Sequence, residues 1–257
     1  MVDLSVIVPA YNEEGIIVKT VEEIKRVLEN ANIDYEIVVV DDGSEDKTYL
    51  VVKKRFSRDP RVIVVRKENG GKGSAIKFGF KFTSGKIIAF KDADLEIHPS
   101  YITKMVKELK NRGVDGVIGS KRIPGASFWY PPLRRVLSRA YWMLVRVLFK
   151  LSVTDTQIGI KVFRREALEE ILPRILCKRY AFDVELLANL ERRGYKLLEY
   201  PVRSRFQRKK SRIRIGDVWK MLLDTLAIYY RMKILKYYDK EGSDENSLVK
   251  LEGYKEP

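Results

Sequence analysis

Cysteine and histidine are nearly missing from these 257 residues: Cys177 and His98 are the only ones. A single thiol excludes a disulfide framework, cysteine-built zinc clusters and CxxC redox chemistry, and it fits a reducing cytosolic setting. His98 stands directly before Pro99 and reads as a turn residue rather than a ligand or base, and Cys177 reads as a passive core residue. Long apolar runs are missing too. Uncharged stretches such as Leu4 to Asn12 and Ile123 to Leu133 fall short of the roughly 20 residues a membrane span needs, so no crossing segment is expected. The basic start and small-residue cleavage site of a secretory leader are absent, and secretion is not expected. Without repeats or low-complexity linkers, the pattern favours one domain over residues 1–215, an amphipathic helix over 216–238 and a polar, mobile tail over 239–257.

Acidic residues are in deficit. Lys and Arg number 50 against 35 Asp and Glu, a formal charge of +15 that favours an anionic partner: nucleic acid, a phosphorylated substrate or an anionic membrane surface. Charge does not choose among these. With 45% hydrophobic and 33% charged residues, the chain can bury a large core, which excludes disorder and a small stapled scaffold.

Leu4 to Val8 and Glu36 to Val40 are β-branched runs, and between them Ile17, Val21, Ile24, Leu28 and Ala31 recur at helical spacing. The alternation continues with strands at 62–65, 87–90 and 116–119 and helices at 73–82 and 99–110. Nearly continuous apolar strands interleaved with amphipathic helices imply a parallel sheet covered on both faces, with ligands at the carboxyl ends of its strands. Beyond Ser120, an aromatic turn at Phe128, Trp129 and Tyr130 leads into a basic amphipathic helix over 133–151. Strands at 158–163 and 196–202, with a helix at 183–193 between them, and a Tyr- and Leu-rich helix over 217–238 complete the expected elements.

The loops after these strands carry the chemistry. Pro9-Ala-Tyr-Asn-Glu13 and Asp41-Asp-Gly-Ser44 follow the first two strands. Each is an ordinary turn or cap by itself; side by side they suggest a pocket in which Tyr11 packs on a base and a carboxylate accepts a base N–H. Asp92 and Asp94 point hard acidic oxygens into one crevice, which suits Mg²⁺ or Mn²⁺ shared with a diphosphate. A solvated acidic turn is the plain alternative. Asn69-Gly-Gly-Lys-Gly73 opens a helix where phosphate can approach backbone N–H groups; the spacing is not that of a P-loop.

Taken in order and spacing, Val6-Ile-Val-Pro-Ala-Tyr-Asn-Glu-Glu14, Val40-Asp-Asp-Gly-Ser44, Asn69-Gly-Gly-Lys-Gly73 and Asp92-Ala-Asp94 resemble the family-2 inverting glycosyltransferases of GT-A fold. Over about residues 3–215 the chain looks like the polyprenyl-phosphate hexose synthases, including the dolichyl-phosphate mannose and glucose enzymes. The resemblance implies an α/β, Rossmann-like, mixed but mainly parallel sheet flanked by helices, with amphipathic interface helices. It implies a nucleotide sugar held by Pro9, Tyr11, Glu13, Asp41, Asp42, Lys72 and Asp92, and Mg²⁺ or Mn²⁺ held by Asp92, Asp94 and Glu96, a position often occupied by Gln in the mannose enzymes. Lys121 and Arg122 match a Gly-Ser-Arg motif, and either one is a candidate to reach a phosphate. Arg134 and Ser138, four apart on one helical face, match a pair that grips the lipid phosphate. Asp155-Thr-Gln-Ile-Gly-Ile-Lys161 follows the glucose synthases more closely than the mannose ones, which favours UDP-glucose. Phe182-Asp-Val-Glu-Leu186 also follows the family pattern. The basic run at Arg203, Arg205, Arg208, Lys209, Lys210 and Arg212 keeps only the end of a family Gly-x-Ser-Lys segment.

The implied reaction moves a hexose from a nucleotide diphosphate to a polyprenyl or dolichyl phosphate with inversion, at the cytoplasmic face of a membrane, with the protein peripheral and nucleic acid not a partner. On the helix over 133–151, Leu133, Val136, Leu137, Tyr141, Leu144, Val145 and Leu148 are expected to face acyl chains. Arg134, Arg135, Ser138, Arg139, Arg146 and Lys150 lie toward the other side, for phosphate head groups. Three rivals remain: a mannose synthase using GDP-mannose; a transferase with a non-lipid acceptor, with Asp155 or Asp183 as base; and an RNA-binding or regulatory protein.

Overall fold

Leu4–Ala10 (β1), buried along nearly its whole length, is the strand on which the site is built. The computed structural model describes residues 2–127, 132–204 and 215–239. Helix α1 (Ile17–Asn30) buries Ile17, Thr20, Val21, Ile24 and Leu28, a stripe at helical spacing, against the sheet. It leads to β2 (Tyr35–Asp42), α2 (Thr48–Phe56), β3 (Val62–Lys67), α3 (Lys72–Phe80), β4 (Ile87–Lys91), α4 (Ser100–Arg112) and β5 (Gly116–Ser120). After α5 (Pro132–Phe149) come β6 (Ile160–Arg164), α6 (Arg165–Ile171), α7 (Phe182–Arg192), β7 (Leu197–Pro201) and α8 (Ile215–Tyr229).

The seven strands lie in the order β3-β2-β1-β4-β6-β5-β7. All neighbours run parallel except β6, which is antiparallel to both β4 and β5. The sheet is therefore mixed and mainly parallel, flanked by helices. The order turns back at β1, between β2 and β4, and in an open α/β sheet such a switch point leaves a crevice at the strands' carboxyl ends. An apolar run alone does not record the direction in which a strand is threaded, so periodicity by itself missed the reversal at β6.

Helices α2 and α6 went unread in the sequence for a related reason. Among many charges α2 buries only Thr48, Val52 and Phe56, and α6 is seven residues long. The helix expected over 217–238 ends instead at Tyr229, continues as a π-helical turn over Tyr230–Ile234, and closes with a 3₁₀ turn at Tyr237–Asp239. Tyr238 is thereby folded back into a second core with Val145 of α5, Ala181, Val184 and Ala188 around α7, and Ile228 and Met232.

This second core corrects the expected orientation of α5. Val145 is buried, Tyr141 and Phe149 pack beside it, and the Tyr141 hydroxyl meets Thr225 Oγ1 of α8 at 2.9 Å. Among the described residues, the large exposed apolar side chains of α5 are Val136 and Leu137, as expected, together with Met143 and Val147, which were not on the expected face. Apolar residues occur on both sides of this helix, and the seam facing α7 and α8 took the Tyr141–Val145–Phe149 side. Likewise α8 buries Thr225 and Ile228 while exposing Trp219, Leu223 and Leu226. Among the described residues, no helix is long and apolar enough to cross a membrane. The aromatic turn at 128–130, the basic residues 205–212 and the tail from 240 lie outside the described residues.

Candidate active site

A cavity of about 470 Å³ opens at the switch point. Pro9, Tyr11 and Glu13 reach it from the end of β1, Asp42 from the end of β2, Asn69, Gly71 and Lys72 from the start of α3, and Asp92 and Asp94 from the end of β4. Four segments far apart in sequence thus meet because parallel strands deliver their loops to one edge. Tyr11 lines the cavity and is 40% exposed.

Asp42 organises the glycine loop. Its carboxylate accepts N–H bonds from Gly70 (3.0 Å) and Gly71 (2.7 Å) and pairs with Lys67 at 2.9 Å. Asp41 does not line the cavity. It is fully buried, with Arg66 Nε 3.1 Å from Oδ2, yet neither of its oxygens is in a hydrogen bond. A buried carboxylate without a hydrogen-bonded donor is a costly arrangement in a folded protein.

A chain of alternating charges runs beneath the cavity. Lys72 Nζ lies 2.9 Å from Asp92 Oδ1 and 3.5 Å from Asp183 Oδ2, and Asp183 Oδ1 is 2.7 Å from Lys161 Nζ, which also donates to the Ile158 carbonyl. Burial acts against each charge. At Lys72 the two neighbouring carboxylates outweigh it and raise the ammonium pKa; at Lys161 burial prevails and the pKa falls. At Asp92 burial is outweighed by Lys72 first, then by Lys91 and Lys161, which hold the carboxyl below its usual range. Lys91, itself buried, donates to the carbonyl oxygens of Asp92 (2.7 Å) and Asp94 (2.5 Å) and so fixes the turn between them. Burial lowers its pKa as well. A methyl group at Gly159 would overlap the Asp92 carboxylate, so glycine there makes room for that acid.

Glu96 does not join Asp92 and Asp94. Its backbone N–H donates to Asp94 Oδ1, and its carboxylate is turned toward Ser204 Oγ, 3.5 Å away. Among the described residues, no three acidic, histidine or cysteine side chains converge closely enough to cage a metal.

On the other side of the sheet's midline, β5 presents Lys121 and Arg122. The Lys121 N–H donates to Asp155 Oδ2, and its ammonium lies 4.0 Å from the same oxygen. Arg122 donates to both the carbonyl (2.9 Å) and the hydroxyl (2.8 Å) of Ser138, and stacks over Trp142. Arg122 and Ser138 are thus brought together, while Lys121 is held at Asp155. Arg134 sits in the first turn of α5, and its side chain lies outside the described residues. Lys121, Arg122 and Ser138 do not line the cavity.

Sequence reasoning missed Lys91, the Lys72–Asp183–Lys161 chain, and Arg179 and Tyr180, which line the cavity from the loop before α7. A lysine ending or interrupting an apolar strand, as in Ile87–Lys91 and Ile160–Arg164, was the available signal for two of them.

The model of the family "Glycosyl transferase family 2" matches residues 5–172. The dolichyl-phosphate beta-glucosyltransferase ALG5C of Trichomonas vaginalis is 31% identical over 248 residues, covering 91% of this chain and 73% of that protein. The glycosyltransferase AglD of Haloferax volcanii is 30% identical over 204 residues, covering 78% of this chain but only 33% of AglD, so the chain spans about a third of that relative. Among solved structures, glucosyl-3-phosphoglycerate synthase from Mycobacterium tuberculosis, in complex with Mn²⁺, UDP and glucosyl-3-phosphoglycerate, superposes with a TM-score of 0.68. At 24% identity, covering 89% of this chain and 80% of that one, it shares the fold.

Proposed function

The chain belongs to glycosyl transferase family 2 and is a glycosyltransferase, and we propose that it transfers glucose from UDP-glucose to the phosphate of dolichol or a similar polyprenol, inverting the anomeric centre. The observation that carries this reading is the convergence of Tyr11, the Asp42-held glycine loop and Asp92-Ala-Asp94 in one cavity at the switch point. The names of the Trichomonas relatives support glucose as the sugar and dolichyl phosphate as the acceptor.

In this reading Pro9, Tyr11 and Glu13 receive the nucleoside. Asp41, buried behind the cavity without a hydrogen-bond donor and paired with Arg66, is the candidate to accept the base N–H. Two carboxylates in a cavity fit Mg²⁺ or Mn²⁺, because such ions are commonly held by one or two carboxylates together with substrate phosphates and water. Asp92 and Asp94 would hold the ion, with the room left at Gly159 setting the Asp92 carboxylate in place. A bound divalent cation supplies positive charge to the departing diphosphate. Lys72 stands beside the same carboxylates and steadies the phosphates from the start of α3.

The acceptor phosphate is already largely ionised near neutral pH, so the attack needs no strong general base. Arg122 and Ser138, with Arg134 one helical turn earlier, hold it for in-line approach, and Lys121 lies next to Arg122. A polyprenyl chain is confined to a bilayer, and α5 and α8 each bury one apolar side while leaving Val136, Met143, Val147, Trp219, Leu223 and Leu226 exposed. Helices apolar on both sides suit a protein lying in the membrane interface at the cytoplasmic face, without a crossing segment.

The test offers purified protein UDP-glucose and GDP-mannose in competition, with a short polyprenyl phosphate, and identifies the product by mass. The expected result is a hexosyl-phosphate lipid with kcat/KM favouring UDP-glucose. Preference for GDP-mannose, or transfer only to water-soluble acceptors, would overturn the assignment.

A further inference from the structure

Among the described residues, the cavity receives four carboxylates, Glu13, Asp42, Asp92 and Asp94, but only two cations, Lys72 and Arg179. Lys72 is engaged by Asp92 and Asp183. Arg179, among the described residues, has neither an ion pair nor a side-chain hydrogen bond, and we infer that its guanidinium is a binding group for the donor diphosphate. This rests on the nucleotide-sugar reading above and adds a residue to it.

The backbone is shaped to admit this side chain. Gly71 has φ +89°, and a methyl group there would come 2.8 Å from Arg179 Cγ and 3.0 Å from the Lys178 carbonyl oxygen. Only glycine lets the arginine's stem lie against the phosphate-facing loop. The segment bearing it is pinned from several sides. The Lys178 carbonyl accepts the Ser74 N–H in the first turn of α3 (3.0 Å), and Lys77 Nζ donates to the Ile175 carbonyl (2.8 Å). The buried Glu185 carboxylate accepts the N–H groups of Leu176 and Cys177. The backbone and stem of Arg179 are thus positioned before the ligand arrives, and its exposed guanidinium is left for the ligand to engage. It shares the cavity with Asp92 and Asp94, whereas Lys121, Arg122 and Ser138 do not line it. The donor's phosphates are therefore its partner, rather than the acceptor's. A diphosphate entering among four carboxylates requires such a cation, and a planar fork grips two of its oxygens at once.

Calorimetric titration of parent, Arg179→Gln and Arg179→Lys proteins with UDP and with uridine, in the presence of Mn²⁺, tests the inference. Arg179→Gln should weaken UDP binding on the order of tenfold to a hundredfold, the scale of a hydrogen bond to a charged group, and leave uridine unchanged. Arg179→Lys should restore part of the loss. Unchanged UDP affinity would overturn the inference, as would equal losses for UDP and uridine, or a rise confined to the KM of the lipid phosphate. Failure of the parent protein itself to bind UDP would overturn the nucleotide reading instead.

Discussion

The two halves of the molecule solve different problems of burial. On the donor side, strands β1, β2 and β4 are buried, and charges from β6, α7, α3 and the end of β4 are set in alternating, mutually neutralising order: Lys161, Asp183, Lys72, Asp92. On the helical side, α5, α7 and α8 share a small apolar core whose buried polar centre is Glu185, joined by Tyr238 and Arg231 from the C-terminal turns. The donor half hides charge to fix a geometry. The helical half leaves apolar surface uncovered, the surface that the proposed membrane contact would use.

The contrast is sharpest where a buried charge loses its partner. Lys161→Met leaves Asp183, whose side chain is 3% exposed, without its closest cation. Unfolding free energy should fall by about 3–5 kcal/mol, measured by denaturant titration, and a loss below about 1 kcal/mol would show that the chain of charges is not integral to the donor half. Asp94→Asn, at the cavity surface, should leave folding intact and lower turnover on the order of a hundredfold. Full activity in this variant or in excess EDTA would remove the metal pair from the proposal. In the helical half, Tyr238→Phe removes one donor from the fully buried Glu185 carboxylate and should cost about 1–3 kcal/mol, read from thermal melts. The smallest effect on stability, within about 0.5 kcal/mol, is expected for the double variant Val147→Asp with Leu223→Asp, because both side chains are exposed. Flotation with anionic vesicles should nevertheless be lost in that variant, and retained flotation would mean that these faces do not meet lipid.

Sequence patterns succeeded where burial is one-sided or complete. Helix α1 could be read from Ile17, Val21, Ile24 and Leu28, and β1 and β2 from unbroken apolar runs, because a covered strand admits little else. Asp92 and Asp94 were legible because acids at a strand end have few structural uses. The reading of α5 held for Val136 and Leu137, which are exposed, and failed for Tyr141 and Val145, which neighbouring helices draw into the second core. The direction of the Glu96 side chain was not legible, because spacing from Asp94 fixes where its backbone lies, while Ser204, 108 residues away, lies where its side chain points.

By itself, the sequence determined most elements of the α/β half, α2 and α6 excepted, the place of the donor loops at strand ends, and the membership of a transferase family, since these rest on local periodicity and short motifs. The tertiary structure decided which charges neutralise one another, which side of each amphipathic helix is left over, and that Arg179 stands beside Gly71. Those outcomes depend on pairings between residues 22 to more than 100 positions apart, and such pairings exist only once the sheet order has brought β6, α7 and α3 together around β4.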